Sequence, residues 1–214
     1  MYNLITFGCS FTAGKGESSW SGYTSNKLGL PLKNFAEAGC SNSLQIKKYQ
    51  RAVIDGEITE DDIVIWQITS AVRYHKRFKT SNKKDIYENH REETPDKFVS
   101  VNIFDGEERT DCPHLMPNTK IEYLRNDIAE NLQELIYHII SCKKINKKTL
   151  VIFGWRDVIP LEWVDKFKKL LDLNYVDYID RPILEEVNGG IHPDEYKYKE
   201  FAEDVIIPKL NCWL

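Results

Sequence analysis

At 214 residues the chain fits one domain, and with 42% hydrophobic and 29% charged residues it has the make-up of a globular protein, which excludes a largely disordered one. Its formal net charge of −4 excludes the strongly basic surface of a general nucleic-acid binder. The five cysteines, at 9, 40, 112, 142 and 212, form no CxxC pair and no metal-ligand spacing, and no apolar run approaches a membrane span, so a soluble cytoplasmic protein with free thiols and no membrane partner is expected.

NLITFG, residues 3 to 8, reads as a first strand that stops on a glycine beside Cys9 and Ser10. WSGYTSNKLGL, 20 to 30, reads as a helix ending at Gly29, and LKNFAEAG, 32 to 39, as a short second strand. Behind the capping residues of CSNS, Leu44, Lys48, Ala52 and Val53 fall on an amphipathic helix that runs to Asp55-Gly56. DDIVIWQIT, 61 to 69, is the clearest strand, an apolar run after an acidic turn. Trp66 is expected in the core, and Gln67, on the opposite face, then needs a polar partner. Trp20 and Trp155 follow strand-to-loop transitions, where either a cleft or the core can take them.

From 73 to 120 the rhythm breaks. This stretch is dense in charged residues and Asn, has prolines at 95, 113 and 117, and alternates only around KFVSVNIFDG, 97 to 106. It reads as a charged insertion with a hairpin of its own, near or over one end of the sheet. A helical stripe follows at Ile121, Leu124, Ile128, Leu132, Leu135, Ile136 and Ile139, leading through a lysine-rich end into the strand TLVIFGW, 149 to 155. LEWVDKFKKLLDL reads as the next helix, and NYVDYID, 174 to 180, as the last strand. The final helix has Pro193 at its first position, Asp194 and Glu195 in its first turn, and Tyr198, Phe201, Ala202, Val205 and Ile206 on its buried face. His192 stands at its entrance. Strands alternating with helices predict a parallel sheet joined by crossover helices.

Open α/β sheets bind ligands outside the carboxyl ends of their strands, where the strand order reverses. Ser10 follows the first strand, Gly39 to Asn42 follow the second, Thr69 and Ser70 close the third, and His192 follows the last by a loop. Taken singly, Ser10 also reads as a turn serine capping the next helix, His192 as a helix cap, and Ser41 and Asn42 as caps. Cys9 reads as a small buried residue, Cys112 and His114 stand alone in a charged loop, and Arg73, just past a strand tip, is either solvated or placed to meet an anionic group on a substrate.

Taken together, these residues resemble a known family. FGCSFTAG is similar to the first block of the SGNH (GDSL-like) hydrolases, whose nucleophilic serine sits in a Gly-Asp-Ser-like turn after the first strand; cysteine stands here in place of the aspartate. NFAEAGCSNS resembles their second block, in which a glycine N–H helps form the oxyanion hole, at Gly39 here. IHPDEYKYKEFA resembles their last block, in which a His-Pro pair opens the C-terminal helix, so His192 inherits the role of base. The resemblance implies a three-layer α/β/α sandwich with a parallel sheet of about five strands, a single domain over 1–214 with the insertion at about 73–120, and no metal or organic cofactor.

Two departures stand out. The family's third block is usually Gly-x-Asn-Asp with an oxyanion-donating asparagine; WQITSAVR places Ser70 at that position, with Thr69 beside it as a possible substrate contact. The family's catalytic aspartate lies three residues before the histidine, where this chain has Gly189. A carboxylate orients the imidazole and stabilises its cation, and neutralising it costs roughly four orders of magnitude in turnover. Asp180, Glu185, Glu186, Asn188 or a backbone carbonyl must orient His192, or the protein is slow.

The activity implied is ester hydrolysis through an acyl-enzyme, on a small ester or an acylated carbohydrate. Ser10 would be the nucleophile and His192 the base, with the N–H groups of Ser10 and Gly39 as oxyanion donors and Ser70 or Asn42 as side-chain help. Acyl transfer to an alcohol uses the same parts. A catalytically impaired binding or scaffold module is the reading from another class, favoured by the altered third block and the missing aspartate.

Overall fold

Three strands carry apolar residues at nearly every position, a pattern that only a sheet covered on both faces can bury. They are β1 (Leu4–Phe7), β3 (Ile63–Ile68) and β7 (Lys148–Phe153). The computed structural model describes residues 2–14, 18–69, 73–78, 97–104, 107–110, 124–154, 161–181, 183 and 193–214, and in it these strands form the centre of a five-stranded parallel sheet. β2 (Leu32–Asn34) and β8 (Asp177–Ile179) complete it in the order β2-β1-β3-β7-β8. The register sets Leu4 against Leu32 and Ile63, and Ile68 against Phe153.

Alternate side chains enter two separate cores, which makes three layers. Ile5, Phe7, Val64, Trp66, Ile68, Val151 and Phe153 face α2 (Asn42–Ile54), α3 (Leu124–Lys143) and α4 (Leu161–Leu173). Leu4, Ile63, Ile65, Leu150 and Ile152 face α1 (Trp20–Leu28) and α5 (Glu195–Phe201) with the segment that continues it. Gly29 ends α1 in the left-handed conformation, and Trp20 is buried in this second core, edge-on to Phe201.

The C-terminal helix begins at Glu195, two residues later than its sequence suggests. Asp194 is its N-cap, accepting from the Lys197 N–H at 2.8 Å, so Pro193 precedes the cap. Ala202–Ile206 is a π-helical turn leading into α6 (Ile207–Asn211). Pro208 explains it: with no N–H for the carbonyl four residues back, the preceding turn widens, and Ile207 donates to Ala202 five residues before it.

The second strand is also shorter than predicted, because the Asn34 side chain accepts from the Ala36 N–H and bends the chain. The stretch 73–110 contributes β4 (Arg73–Phe78), β5 (Lys97–Phe104) and β6 (Glu107–Thr110), an antiparallel sheet in which Val101 pairs with both Tyr74 and Thr110. No described helix is long and apolar enough to cross a membrane.

In the first core Phe7 stacks on Phe35 and Trp66 at centroid distances of 5.2 and 4.6 Å, and His138 meets Tyr49 and Trp66 edge-on at 5.7 and 6.1 Å. Its Nε2 is buried without a hydrogen-bond partner among the described residues. Burial lowers the His138 pKa below the ordinary 6.5, against the opposing pull of Glu134 on the same helix. Below 6.5 the unfolded chain therefore binds more protons than the folded one, and this stabilising term, complete above that value, is lost progressively as pH falls from it towards the lower folded-state pKa. Thermal melts at pH 7.5 and 5.5 are expected to show a larger drop in Tm for the wild type than for His138→Gln; equal drops would mean that the imidazole does not contribute.

Candidate active site

The strand order reverses between β1 and β3, the neighbours from which the chain leaves in opposite directions across the sheet. At their carboxyl ends lie Gly8-Cys9-Ser10 and Thr69. Ser10 sits half-buried in a turn closed by bonds from the Thr12 and Ala13 N–H groups to the Cys9 carbonyl, at 2.9 and 3.0 Å. Neither its hydroxyl nor its N–H has a partner among the described residues. The first helix is capped instead by Ser19, whose hydroxyl accepts from the Gly22 N–H.

The segments on either side of Ser10 are bonded into place. Asn34 Nδ2 donates to the Thr12 carbonyl at 2.8 Å, and the Ser21 hydroxyl donates to the same carbonyl at 3.1 Å. Thr6 donates to Asn34 Oδ1 at 3.0 Å, and Ser19 donates to the Gly14 carbonyl at 3.1 Å. From below, Gln67 Oε1 accepts from the Thr12 hydroxyl at 2.5 Å and from the Cys9 N–H at 3.4 Å. Buried polar groups that satisfy one another in this way rigidify a segment more than apolar packing does. Gln67 thus has the polar partners its place in an apolar strand demands.

The loop carrying Gly39 is tied to the same turn. Phe35 N–H donates to Thr6 O at 2.9 Å and Glu37 N–H to Gly8 O at 3.2 Å, so the chain past β2 still runs along β1. Lys48 of α2 holds it from the other side, donating to the Phe35 carbonyl and to Glu37 Oε2 at 2.9 and 2.6 Å. Gly39 follows in a turn with a φ of 76°, which a side chain would strain. Next comes the amino end of α2, capped by the Ser41 hydroxyl and free of acidic residues in its first turn. Its partial positive charge at this rim favours a developing anion.

Asn42 is engaged with β3. Its Oδ1 accepts from the Thr69 N–H and hydroxyl at 2.9 and 3.1 Å, and its Nδ2 donates to the Thr69 carbonyl at 3.1 Å. Side chain and strand end thus hold each other as two strands would, and both residues are buried.

The second core brings the C-terminal helix to the same side as the serine turn, for Cys9, Phe11, Tyr198 and Phe201 share it. Burial, with the Cys9 thiol beside it, pushes the Tyr198 phenol above its ordinary value. Pro193 is buried; His192, just before it, lies outside the described residues. So do Ser70, Glu185, Glu186, Asn188, Gly189, Cys112, His114 and Trp155. Arg73 opens β4 opposite Asn102, with its side chain outside the description. Asp180, just past β8, is exposed and bonded to Lys168 of α4, whose pKa this bond raises. Three inter-strand steps, about 14 Å, separate β8 from β1.

The serine turn, the glycine loop and the helix end converge on one rim of an α/β/α sandwich. The same sandwich occurs in a member of the lipolytic G-D-S-L family from Veillonella parvula, similar over 96% of this chain and 97% of that one, with a TM-score of 0.56 and 13% identity. The esterase EstA from a Pseudoalteromonas species is similar over 100% and 98%, with a TM-score of 0.56 and 11% identity. An acetyl xylan esterase from Butyrivibrio proteoclasticus is similar over 99% of this chain and 64% of that one, with a TM-score of 0.53 and 12% identity. No family model and no curated protein matches the sequence. The chain therefore has the fold of the GDSL, or SGNH, lipolytic proteins.

Proposed function

We propose that this chain is a serine hydrolase, an esterase or deacylase acting on a small ester or an acylated carbohydrate, with Ser10 as nucleophile and His192 as its base. The observation that carries the reading is the state of Ser10: a half-buried hydroxyl at the switch point, uncommitted among the described residues, in a turn whose Cys9 and Thr12 are bonded on either side of it. A serine kept for capping would have its hydroxyl on a backbone N–H. The fold of two esterases and a lipolytic protein, and the esterified glycan named for one of them, support the reaction and the substrate class.

The chemistry needs few parts. His192 takes the hydroxyl proton as Ser10 Oγ bonds to the acyl carbon, and the carbonyl electrons move onto the oxygen. The N–H groups of Ser10 and Gly39, near the amino end of α2, stabilise that oxyanion. As the oxyanion collapses, the ester C–O bond breaks and the leaving alcohol receives the proton from His192. Water then attacks the acyl-enzyme, gives its proton to His192, and releases the acid as the proton returns to Ser10 Oγ.

A second reading, a binding module that has lost catalysis, draws on Asn42, whose amide is taken up by Thr69 and so engaged away from a substrate oxyanion. One experiment separates the two. A fluorophosphonate probe followed by peptide mass spectrometry is expected to modify Ser10, forming a P–O bond as fluoride leaves, and to fail in His192→Ala. An inert wild type, beside a control hydrolase that reacts, would establish the module.

A further inference from the structure

We propose that Gln67 is a positioning residue for the reaction, fixing the turn that presents Ser10; the inference rests on the hydrolase reading and names a residue that reading does not use. Gln67 is the one amide in the buried strand IVIWQI, and an apolar side chain of the same length would satisfy the packing there. A buried amide is costly unless bonded, and this one is bonded to the turn on both sides of the nucleophile. Its Oε1 takes the Cys9 N–H, one residue before Ser10, and the Thr12 hydroxyl, two residues after it. Its Nε2 lies 3.6 Å from Cys9 Sγ, a further contact on the residue preceding Ser10.

Two glycines leave the room this amide occupies. A Cβ on Gly8 would stand 2.6 Å from Gln67 Oε1, and one on Gly154, at the end of β7, 2.9 Å from Gln67 Nε2. Three neighbouring strands therefore leave a slot for this side chain. On the other side of β3 the Gln67 carbonyl accepts from Gln45 Nε2 at 3.1 Å, which links the same residue to α2 and, through Asn42, to the end of β3. With the Cys9 N–H directed to Gln67, the next amide along, that of Ser10, is left without an acceptor among the described residues, as an oxyanion donor must be.

The test compares wild type, Gln67→Met, Thr12→Val and the double variant, each with its active sites titrated by the fluorophosphonate probe. Losing the clamp lets the serine turn drift, and since a displacement of about 1 Å costs up to about 100-fold, kcat per titrated site in Gln67→Met should fall at least tenfold while KM stays within about threefold. The rate constant for probe labelling should fall by the same factor. Thr12→Val should show a smaller loss in the same direction, and the double variant less than the product of the two, because both remove one shared bond. A lower Tm with kcat per titrated site unchanged in both single variants would make Gln67 merely structural and overturn the proposal. A wild type that neither labels nor hydrolyses would overturn the hydrolase reading and this inference with it, whereas an active wild type matched by Gln67→Met overturns the inference alone.

Discussion

Replacing Ser10 with alanine is expected to cut ester hydrolysis by at least about a hundredfold while leaving the melting temperature within a degree or two, because the hydroxyl supports no structural bond among the described residues. The size of the loss carries information beyond its existence. Where a carboxylate stands behind the histidine, removing serine or histidine costs about six orders of magnitude, and removing the acid alone between four and five. An enzyme already without its acid therefore has only about a hundredfold left to lose. Loss near 10⁶ for Ser10→Ala and His192→Ala would mean that one of Asp180, Glu185 or Glu186 orients the imidazole; loss near 10² would mean a bare pair. Asp180 can then be separated from the others with Asp180→Asn, because its present partner is Lys168. Steady-state rates on a short-chain aryl ester, reported per folded molecule, settle the matter, and a Ser10→Ala variant within fivefold of wild type would exclude the serine as nucleophile.

Gly8→Ala is expected to be the most damaging single methyl in the described chain. Its Cβ would fall 2.6 Å from Thr12 Oγ1 and Gln67 Oε1 and 2.9 Å from Thr12 Cβ. Thr12 Cβ is no flexible chain end, and moving Gln67 Oε1 aside breaks its bonds to the Thr12 hydroxyl and the Cys9 N–H. The strand end or the turn must move, and overpacking of a well-filled core costs about 1–3 kcal/mol. For a domain of this size that is roughly 2–12 °C in Tm. Because the displaced segment is the one holding Ser10, kcat should fall further than stability, by about 100-fold. Gly29→Ala provides the contrast: no atom lies within 4 Å of its Cβ, its φ is +65°, and the only cost is backbone strain of about 1 kcal/mol with kcat unchanged. Equal activity in the two variants would show that the space around Gly8 is not what fixes the turn.

Much of this architecture was legible in the residues. The helix over Leu161–Leu173 agrees to the residue with LEWVDKFKKLLDL, and Leu132, Leu135, Ile136 and Ile139 of the long stripe are all in the core. These features are local, set by period and by punctuation such as Gly29. Gln67 was visible as a polar residue in an apolar run, but its partners, 55 and 58 positions away, were not. The mutual hold of Asn42 and Thr69 was hidden for the same reason: a helix-start asparagine reads as a cap, and only the sheet order brings it to the end of β3. The early end of β2 follows from a side chain bonding its own backbone two residues on, a competition that alternation does not register. Arg73–Phe78 was illegible as a strand because RYHKRF lacks an apolar alternation, and its pairing with β5 supplies the missing signal.

The division of helices between the two faces also has a bearing on synthesis. One side of the sheet is closed by α2, α3 and α4, all of which are made before β8, so it can assemble as the polypeptide emerges. The other has only α1 as helical cover until α5 and α6 are made, since Tyr198, Phe201, Ile206 and Leu210 supply much of the rest. A nascent or prematurely terminated product would thus present Leu4, Ile63, Ile65, Leu150 and Ile152 as a wide sticky plane, the kind of surface that recruits chaperones or seeds aggregates.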